Sequence, residues 1–174
     1  MKGKNVYLRA PEAADCDTFV ALARASEKSH RGSIKMSRTR EEFALFLERS
    51  RSETSANFLI FRIADDAIVG MVNLSQIFYG PFCNAYLGYG LGDGFTGRGF
   101  MTEAIQLVLR FAFSDLILHR VEANVQPENT ASINVLRRTG FQKEGFSKKY
   151  LKVGGRWRDH ERWAITRENW KPKL

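Results

Sequence analysis

The sequence is poor in two features that are typical of membrane and secreted proteins, namely long apolar runs and cysteines. No stretch reaches the roughly eighteen consecutive apolar residues of a membrane helix, so we expect no membrane span. The first residues, MKGKNVYLRAPEAADCD, contain no apolar signal core, so we expect no secretion. Cys16 and Cys83 are too few for a disulfide framework and have no metal-ligand spacing. We therefore predict a cytoplasmic protein with reduced thiols and no metal.

Internal repeats, linkers and low-complexity segments are also missing, so the 174 residues are expected to form one domain over 1–174. The net charge of +8 is uneven, because residues 141–174 hold ten Lys/Arg and four Asp/Glu. This basic quarter could favour an acidic or RNA-rich partner, or it could be a solvated surface. Charge alone does not choose between these, and we expect no direct nucleic-acid recognition.

Apolar spacing and turn residues predict alternating strands and helices along the chain. The predicted strands are 6–11, 57–65, 67–78, 83–91 and 119–127, followed by a hairpin over 141–166 that turns at Gly154-Gly155. The predicted helices are 13–26, 40–53 with Thr39 as cap, 100–114 and 129–139, the last stopped by Gly140. The polar stretch 30–40 is predicted to be a loop.

Short connections make the three strands between 57 and 91 antiparallel neighbours, with turns at Asp65-Asp66 and Tyr79-Gly80-Pro81. The strands that flank the helix 100–114 form a right-handed βαβ unit and run parallel. The fold class is therefore α/β with a mixed sheet. The glycine-rich loop before that helix lies at the carboxyl end of a central strand, where open α/β sheets bind ligands.

That loop, within GDGFTGRGFMTEA (92–104), is the strongest candidate binding feature. The first turn of a helix has free N–H groups and a partial positive charge, which together stabilise an anion. Gly97 and Gly99 let the loop curl so that N–H groups point inward, and Arg98 adds a positive charge. We interpret the loop as a diphosphate cradle. The alternative is a tight turn with no ligand.

The preceding strand, YLGYGLG, places Gly88, Gly90 and Gly92 at alternate positions, so we expect one bare face. A cradle continuous with such a strand suits a long, thin cofactor with a central diphosphate. A nicotinamide dinucleotide fits poorly, because Thr102 occupies the third glycine position of G-x-G-x-x-G and Glu122 lies inside its strand.

Two segments resemble motifs of the GCN5-related N-acetyltransferases (GNAT). The G-x-G loop matches the family motif Q/R-x-x-G-x-G/A. The segment NTASINVLRRTGF (129–141) matches the family motif N-x-x-S-x-x-(V/A)-(L/A)-x-x-x-G-F. The segments YLGYGLG and EGFSKKYLKVGGRWRDH resemble the RimJ type, the ribosomal-protein-alanine N-acetyltransferases. The resemblance covers nearly the whole chain. It implies a mostly antiparallel central sheet with one parallel pair, helices on both faces, and acetyl-CoA as cofactor.

The sequence departs from the family at two positions. Gly94 stands where Gln or Arg is usual, and Tyr86 stands where many relatives have a glutamate proposed as base. An α-amine has a pKa near ~8, against ~10.4 for a lysine side chain, so it needs little help from a base near neutrality. Glu103, Asp159 and His160 are interpreted as structural.

The chemistry of acetyl transfer, taken together with the resemblance, suggests roles for individual residues. Ser132 is expected to protonate the departing thiolate, and Tyr86 is a weaker candidate for positioning the amine. Backbone N–H groups near Tyr89 to Leu91 are expected to stabilise the oxyanion, and Asn129 could hold the pantetheine amides. Ordinary helix capping is the alternative for Asn129 and Ser132. The predicted cofactor-binding residues are Tyr89, Leu91, Thr96, Gly97, Arg98, Gly99, Phe100, Met101, Asn129 and Ser132.

We therefore expect an acetyl-CoA-dependent enzyme that acetylates the N-terminal α-amine of a protein, with a ribosomal protein or the ribosome as partner. A small-molecule amine acetyltransferase and a non-catalytic module on the ribosome or RNA are the alternatives. Residues 28–57 and the turn at 79–82 are expected to shape the acceptor groove. The protein is expected to be a monomer or a homodimer.

Overall fold

The computed structural model describes residues 1–27 and 36–172 and shows an α/β fold with one seven-stranded sheet. The strands are β1 (Val6–Arg9), β2 (Ser55–Arg62), β3 (Ile68–Phe78), β4 (Asn84–Leu91), β5 (Arg120–Val125), β6 (Gln142–Val153) and β7 (Arg156–Thr166). The α-helices are α1 (Cys16–Ala25), α2 (Arg40–Arg49), α3 (Phe100–Arg110) and α4 (Thr130–Thr139).

Every predicted element is present, and the differences lie at the ends. The predicted helix 13–26 begins with a 3₁₀ turn (Ala13–Asp15) before α1. The predicted helix 100–114 is α-helical only to Arg110 and continues as a π-helical turn (Phe111–Asp115). Of the predicted loop 30–40, residues 30–35 lie outside the described residues, and Arg40 already belongs to α2.

Local chemistry explains where the helices begin and end. Thr39 caps α2 as predicted, because its side-chain oxygen accepts a hydrogen bond from the N–H of Glu42 (3.1 Å). Gly140 ends α4 with φ +96°, a left-handed conformation that favours glycine.

The strand order is β1-β2-β3-β4-β5-β7-β6, and all neighbours are antiparallel except β4 and β5. This parallel pair, connected through α3, confirms the predicted βαβ unit. The hairpin β6–β7 is also confirmed, but its second strand lies between β5 and β6. This strand order was not predicted from the sequence.

Helices cover both faces of the sheet, as the family resemblance implied. Val72 and Leu74 of β3 belong to a large core with α3 and α4, which contribute Ile105 and Leu136. Met71 of β3 belongs to a smaller core on the opposite face, where α1 and α2 contribute Phe19, Phe43 and Phe46. Because side chains alternate along a strand, Asn73 and Ser75 share the face of Met71.

Gly92 faces the smaller core, on the same side of the sheet as Gly90, as predicted, but this position is not bare. The strand ends at Leu91, and the N–H of Gly92 donates to the carbonyl of Val69 (2.8 Å). A Cβ at Gly92 would overlap Leu22 Cδ1 and lie 2.7 Å from its Cγ. A glycine at this position therefore serves the packing of α1 rather than a ligand.

Candidate functional site

A gap in the sheet hydrogen bonding lies between β4 and β5. Their parallel ladder pairs only Asn84–Tyr86 with Arg120–Glu122, although β4 continues to Leu91 and β5 to Val125. Over residues 87–90 of β4, no ladder partner on the β5 side is found among the described residues. We call this gap the strand opening. It offers backbone N–H and C=O groups to an extended ligand.

The glycine-rich loop follows directly after this part of β4. Gly97 and Gly99 have φ values of +74° and +80°, and no atom lies within 4 Å of the position that a Cβ would occupy at either residue. Gly99 is the N-cap of α3. Within the described ranges, the N–H groups of residues 97–101 donate to no protein atom. The loop therefore has the open space and the free donors that an anionic group needs.

The other predicted residues of the loop are placed in two different ways. Phe100 and Met101 are buried in the core, so only their backbone N–H groups are available for a ligand. Thr96 and Arg98 are exposed, so the side chain of each is accessible beside the loop. Leu91 packs against the same core as Phe100.

Ser132 and Tyr89 form a hydroxyl pair next to the strand opening. Ser132 Oγ donates to Tyr89 Oη (2.7 Å), and Tyr89 Oη lies 3.3 Å from the carbonyl oxygen of Ser132. Burial raises the pKa of Tyr89 to about 12, while the hydrogen bond with Ser132 acts in the opposite direction. The phenol therefore keeps its proton at physiological pH, and the pair can supply a proton. Ser132 was predicted to supply this proton, whereas the role of the Tyr89 hydroxyl was not predicted.

Asn129 is the N-cap of α4, because its Oδ1 accepts a hydrogen bond from the N–H of Ser132 (3.0 Å). This contact corresponds to the capping alternative, and it leaves the Nδ2 group of Asn129 for any contact with a ligand. The cap also fixes Ser132 in the first turn of α4.

Tyr86 lies on the other face of β4, opposite Ser75 of β3 and beside Glu122 of β5. Burial, followed by the negative charge of Glu122 and the nearby Tyr150, raises the pKa of Tyr86. Tyr86 and Ser132 are therefore on opposite sides of the sheet, and the structure does not bring these two predicted residues together.

A pocket of about 660 Å³ lies on the face of Tyr86, between α2 and the middle of the sheet. Described residues that line it include Glu42 and Arg49 of α2, Asn57 of β2, and Asn73 of β3. Part of the predicted region 28–57 thus lines a groove, whereas no residue of the turn 79–82 is among its described lining residues. Asn57 and Asn73 were missed, although a polar residue inside the apolar run GMVNL is a signal that could have indicated Asn73.

The part of the chain that the structure describes contains neither a membrane-spanning helix nor a cluster of metal-binding side chains. It contains no helix long and apolar enough to cross a bilayer. Its His, Cys, Asp and Glu side chains form no group of three or more placed to hold a metal ion.

Comparison with known proteins identifies relatives that share this architecture. The acetyltransferase (GNAT) domain family matches residues 5–142. The Bacillus subtilis (strain 168) protein named "Probable N-acetyltransferase YjcK" is 36% identical over 174 residues, covering 95% of this chain and 96% of that protein. The ribosomal protein uS5-alanine N-acetyltransferase of Escherichia coli (strain K12) is 39% identical over 115 residues, covering 66% of this chain and 59% of that protein.

A solved structure supports the same relationship. Mycobacterium smegmatis RimJ in complex with CoA-disulfide matches this fold with a TM-score of 0.87 and 31% sequence identity. The match covers 94% of this chain and 82% of that chain.

Proposed function

From the finding that the chain belongs to the GNAT acetyltransferase family and is an N-acetyltransferase, we propose a more specific function. The proposed reaction is the acetylation of the N-terminal α-amine of a protein, with acetyl-CoA as the acetyl donor. A ribosomal protein is the proposed acceptor, which would place the reaction in the cytoplasm. The E. coli and M. smegmatis relatives, with the names they bear, support this choice.

The observation that carries the proposal is the strand opening, with free backbone donors at its mouth. The N–H groups of residues 97–101 would hold the diphosphate of the coenzyme, and the open edge of β4 would hold its pantetheine chain. The residues present therefore fit the group. Bound acetyl-CoA supplies the thioester whose acetyl group is transferred.

The chain supplies three contributions to the transfer. Open N–H groups on β4 near Tyr89 would stabilise negative charge on the acetyl oxygen of bound acetyl-CoA. The Ser132–Tyr89 hydroxyl pair would donate a proton to the sulfur of bound acetyl-CoA as it departs, and the proton that the attacking amine releases to solvent balances this donation when the pair is reprotonated. Tyr86, on the pocket side, positions the incoming amine.

The pocket suits a single amine better than a polyamine. Among its described lining residues, Glu42 provides the one carboxylate, and that group accepts a hydrogen bond from the N–H of Arg38 (2.7 Å). Several ammonium groups would need several carboxylates if they were removed from water. The sequence of residues 28–35 contains no Asp or Glu.

A competition assay tests the proposal. The protein is incubated with acetyl-CoA, an alanine-initiated peptide that contains one internal lysine, and spermidine at equal concentration. Thiol release is followed, and the products are identified by mass spectrometry. We expect acetylation at the peptide α-amine. Turnover of spermidine or of the lysine side chain alone would refute the proposed acceptor.

A further inference from the structure

Two asparagine side chains lie next to each other on the floor of the pocket. Asn73 of β3 is paired in register with Asn57 of β2 on one side and with Gly88 of β4 on the other. Directly paired residues present their side chains to the same face. Both carboxamides therefore face the pocket, and Gly88 has no side chain to separate Asn73 from β4. We call Asn57 and Asn73 the amide floor.

The amide floor is incompletely hydrogen-bonded. Among the described residues, the side chain of Asn57 makes one hydrogen bond, which its Nδ2 donates to Ser50 Oγ (3.0 Å). Asn73 Oδ1 is buried and has no partner among the same residues. A buried polar atom without a partner costs free energy, so native structures contain few of them. Asn84 and Asn124 also have such atoms, but neither lines the pocket.

The neighbouring hydroxyl groups on this side of the pocket donate to backbone carbonyls and not to Asn73 Oδ1. Ser75, the next residue on the same face of β3, donates its hydroxyl to the carbonyl of Tyr86 (3.4 Å). Ser55 donates its hydroxyl to the carbonyl of Arg49. Among the described residues that line the pocket, Asn73 Oδ1 is the one buried side-chain oxygen without a hydrogen-bond partner.

We infer that the amide floor binds the first peptide group of the acceptor and thereby selects an amine that is followed by a peptide bond. This inference rests on the proposed function. A peptide group offers one N–H donor and one C=O acceptor, and a carboxamide offers the complementary pair. Because Asn73 Oδ1 is buried, rotation about the Cβ–Cγ bond is needed to turn this oxygen toward the pocket, where it would accept from the peptide N–H. An amine without a neighbouring peptide group leaves these atoms unpaired and is disfavoured.

The test compares two acceptors that differ in one atom. One is an alanine-initiated peptide, and the other is the depsipeptide in which the first peptide N–H is replaced by an ester oxygen. Rates are measured above pH ~9, where both α-amines are neutral. The wild-type protein should show a kcat/KM about tenfold lower for the depsipeptide, as expected for one lost hydrogen bond.

Variants assign that preference to a residue. Asn73→Leu should reduce the preference to about one and leave the Kd for coenzyme A unchanged. Asn57→Ser, which replaces the carboxamide with a shorter hydroxyl side chain, should give an intermediate ratio. The exposed Asn169→Leu is the matched control and should retain the wild-type ratio. Thermal unfolding verifies that each variant is folded.

The outcomes separate the inference from the proposed function. Equal rates of the wild-type protein with peptide and depsipeptide would overturn the inference alone. An unchanged preference in both folded Asn73 and Asn57 variants would do the same. Failure to acetylate any peptide, with turnover of a simple amine, would overturn the proposed function and the inference with it.

Discussion

Gly97→Asp tests the role of the loop backbone in coenzyme binding. Gly97 has φ +74° and open space at its Cβ position, so an aspartate carboxylate would extend into the region where the diphosphate is expected. Gly80, in the β3–β4 turn, provides a close control, because it has φ +73° and the same open surroundings. Both substitutions introduce the same charge and nearly the same backbone strain, but only one lies in the loop.

The expected effect follows from Coulomb's law. Two unit charges 4 Å apart interact by about 1 kcal/mol in water, so a carboxylate next to a diphosphate with about two negative charges costs about 2 kcal/mol. At 1.4 kcal/mol for each factor of ten, the Kd should rise about 30-fold. The positive φ costs roughly 1–2 kcal/mol of folding stability in both variants and cancels in the comparison.

Isothermal titration calorimetry with coenzyme A measures the Kd of the wild-type protein and of both variants. We expect Gly97→Asp to bind about 30-fold more weakly and Gly80→Asp to bind like the wild type. If Gly97→Asp binds coenzyme A with wild-type affinity while it is folded, the backbone cradle is not the binding site.

Three further predictions follow from the site and its packing. Ser132→Ala and Tyr89→Phe should each lower kcat about tenfold or more and leave the Kd for coenzyme A unchanged. Thiol release measures kcat, and calorimetry measures the Kd. A wild-type kcat in both variants would show that the hydroxyl pair takes no part in the reaction. Because the pKa of Tyr89 is raised to about 12, the phenol remains protonated in mild alkali. We therefore expect kcat/KM to rise as the α-amine loses its proton near pH ~8 and to show no decline up to pH ~10. A decline of kcat/KM between these two pH values would contradict the role of Tyr89. Gly92→Ala should lower the free energy of unfolding by about 1–3 kcal/mol through overlap with Leu22, and adding Leu22→Ala should recover part of that loss in chemical denaturation.

The order and type of the elements could be predicted from the sequence because each has its own periodic pattern and stop signal. Thr39 and Gly140 marked helix ends correctly, since capping depends on neighbouring residues. The position of β7 between β5 and β6 could not be predicted, because a two-residue turn gives the pairing of a hairpin but not which of its strands meets the rest of the sheet.

The loop of the candidate site was accessible to sequence reasoning, whereas its side-chain pairs were not. Gly97 and Gly99 lie on a contiguous segment whose composition indicates free backbone donors. The Ser132–Tyr89 contact joins residues 43 positions apart, and the amide floor depends on the register between β2 and β3. Alternation predicted the face of Gly92 correctly but could not show that Leu22 of α1 covers this position.

The most direct test of the account is a titration of ¹⁵N-labelled protein with coenzyme A, followed through its backbone amide resonances. The account predicts that the largest shifts occur at Gly97, Arg98 and Gly99 and along residues 87–90 of β4, because the coenzyme binds to the loop N–H groups and to those N–H groups of the strand that point away from β3. Saturable binding that leaves both segments unshifted and perturbs another part of the protein would contradict it.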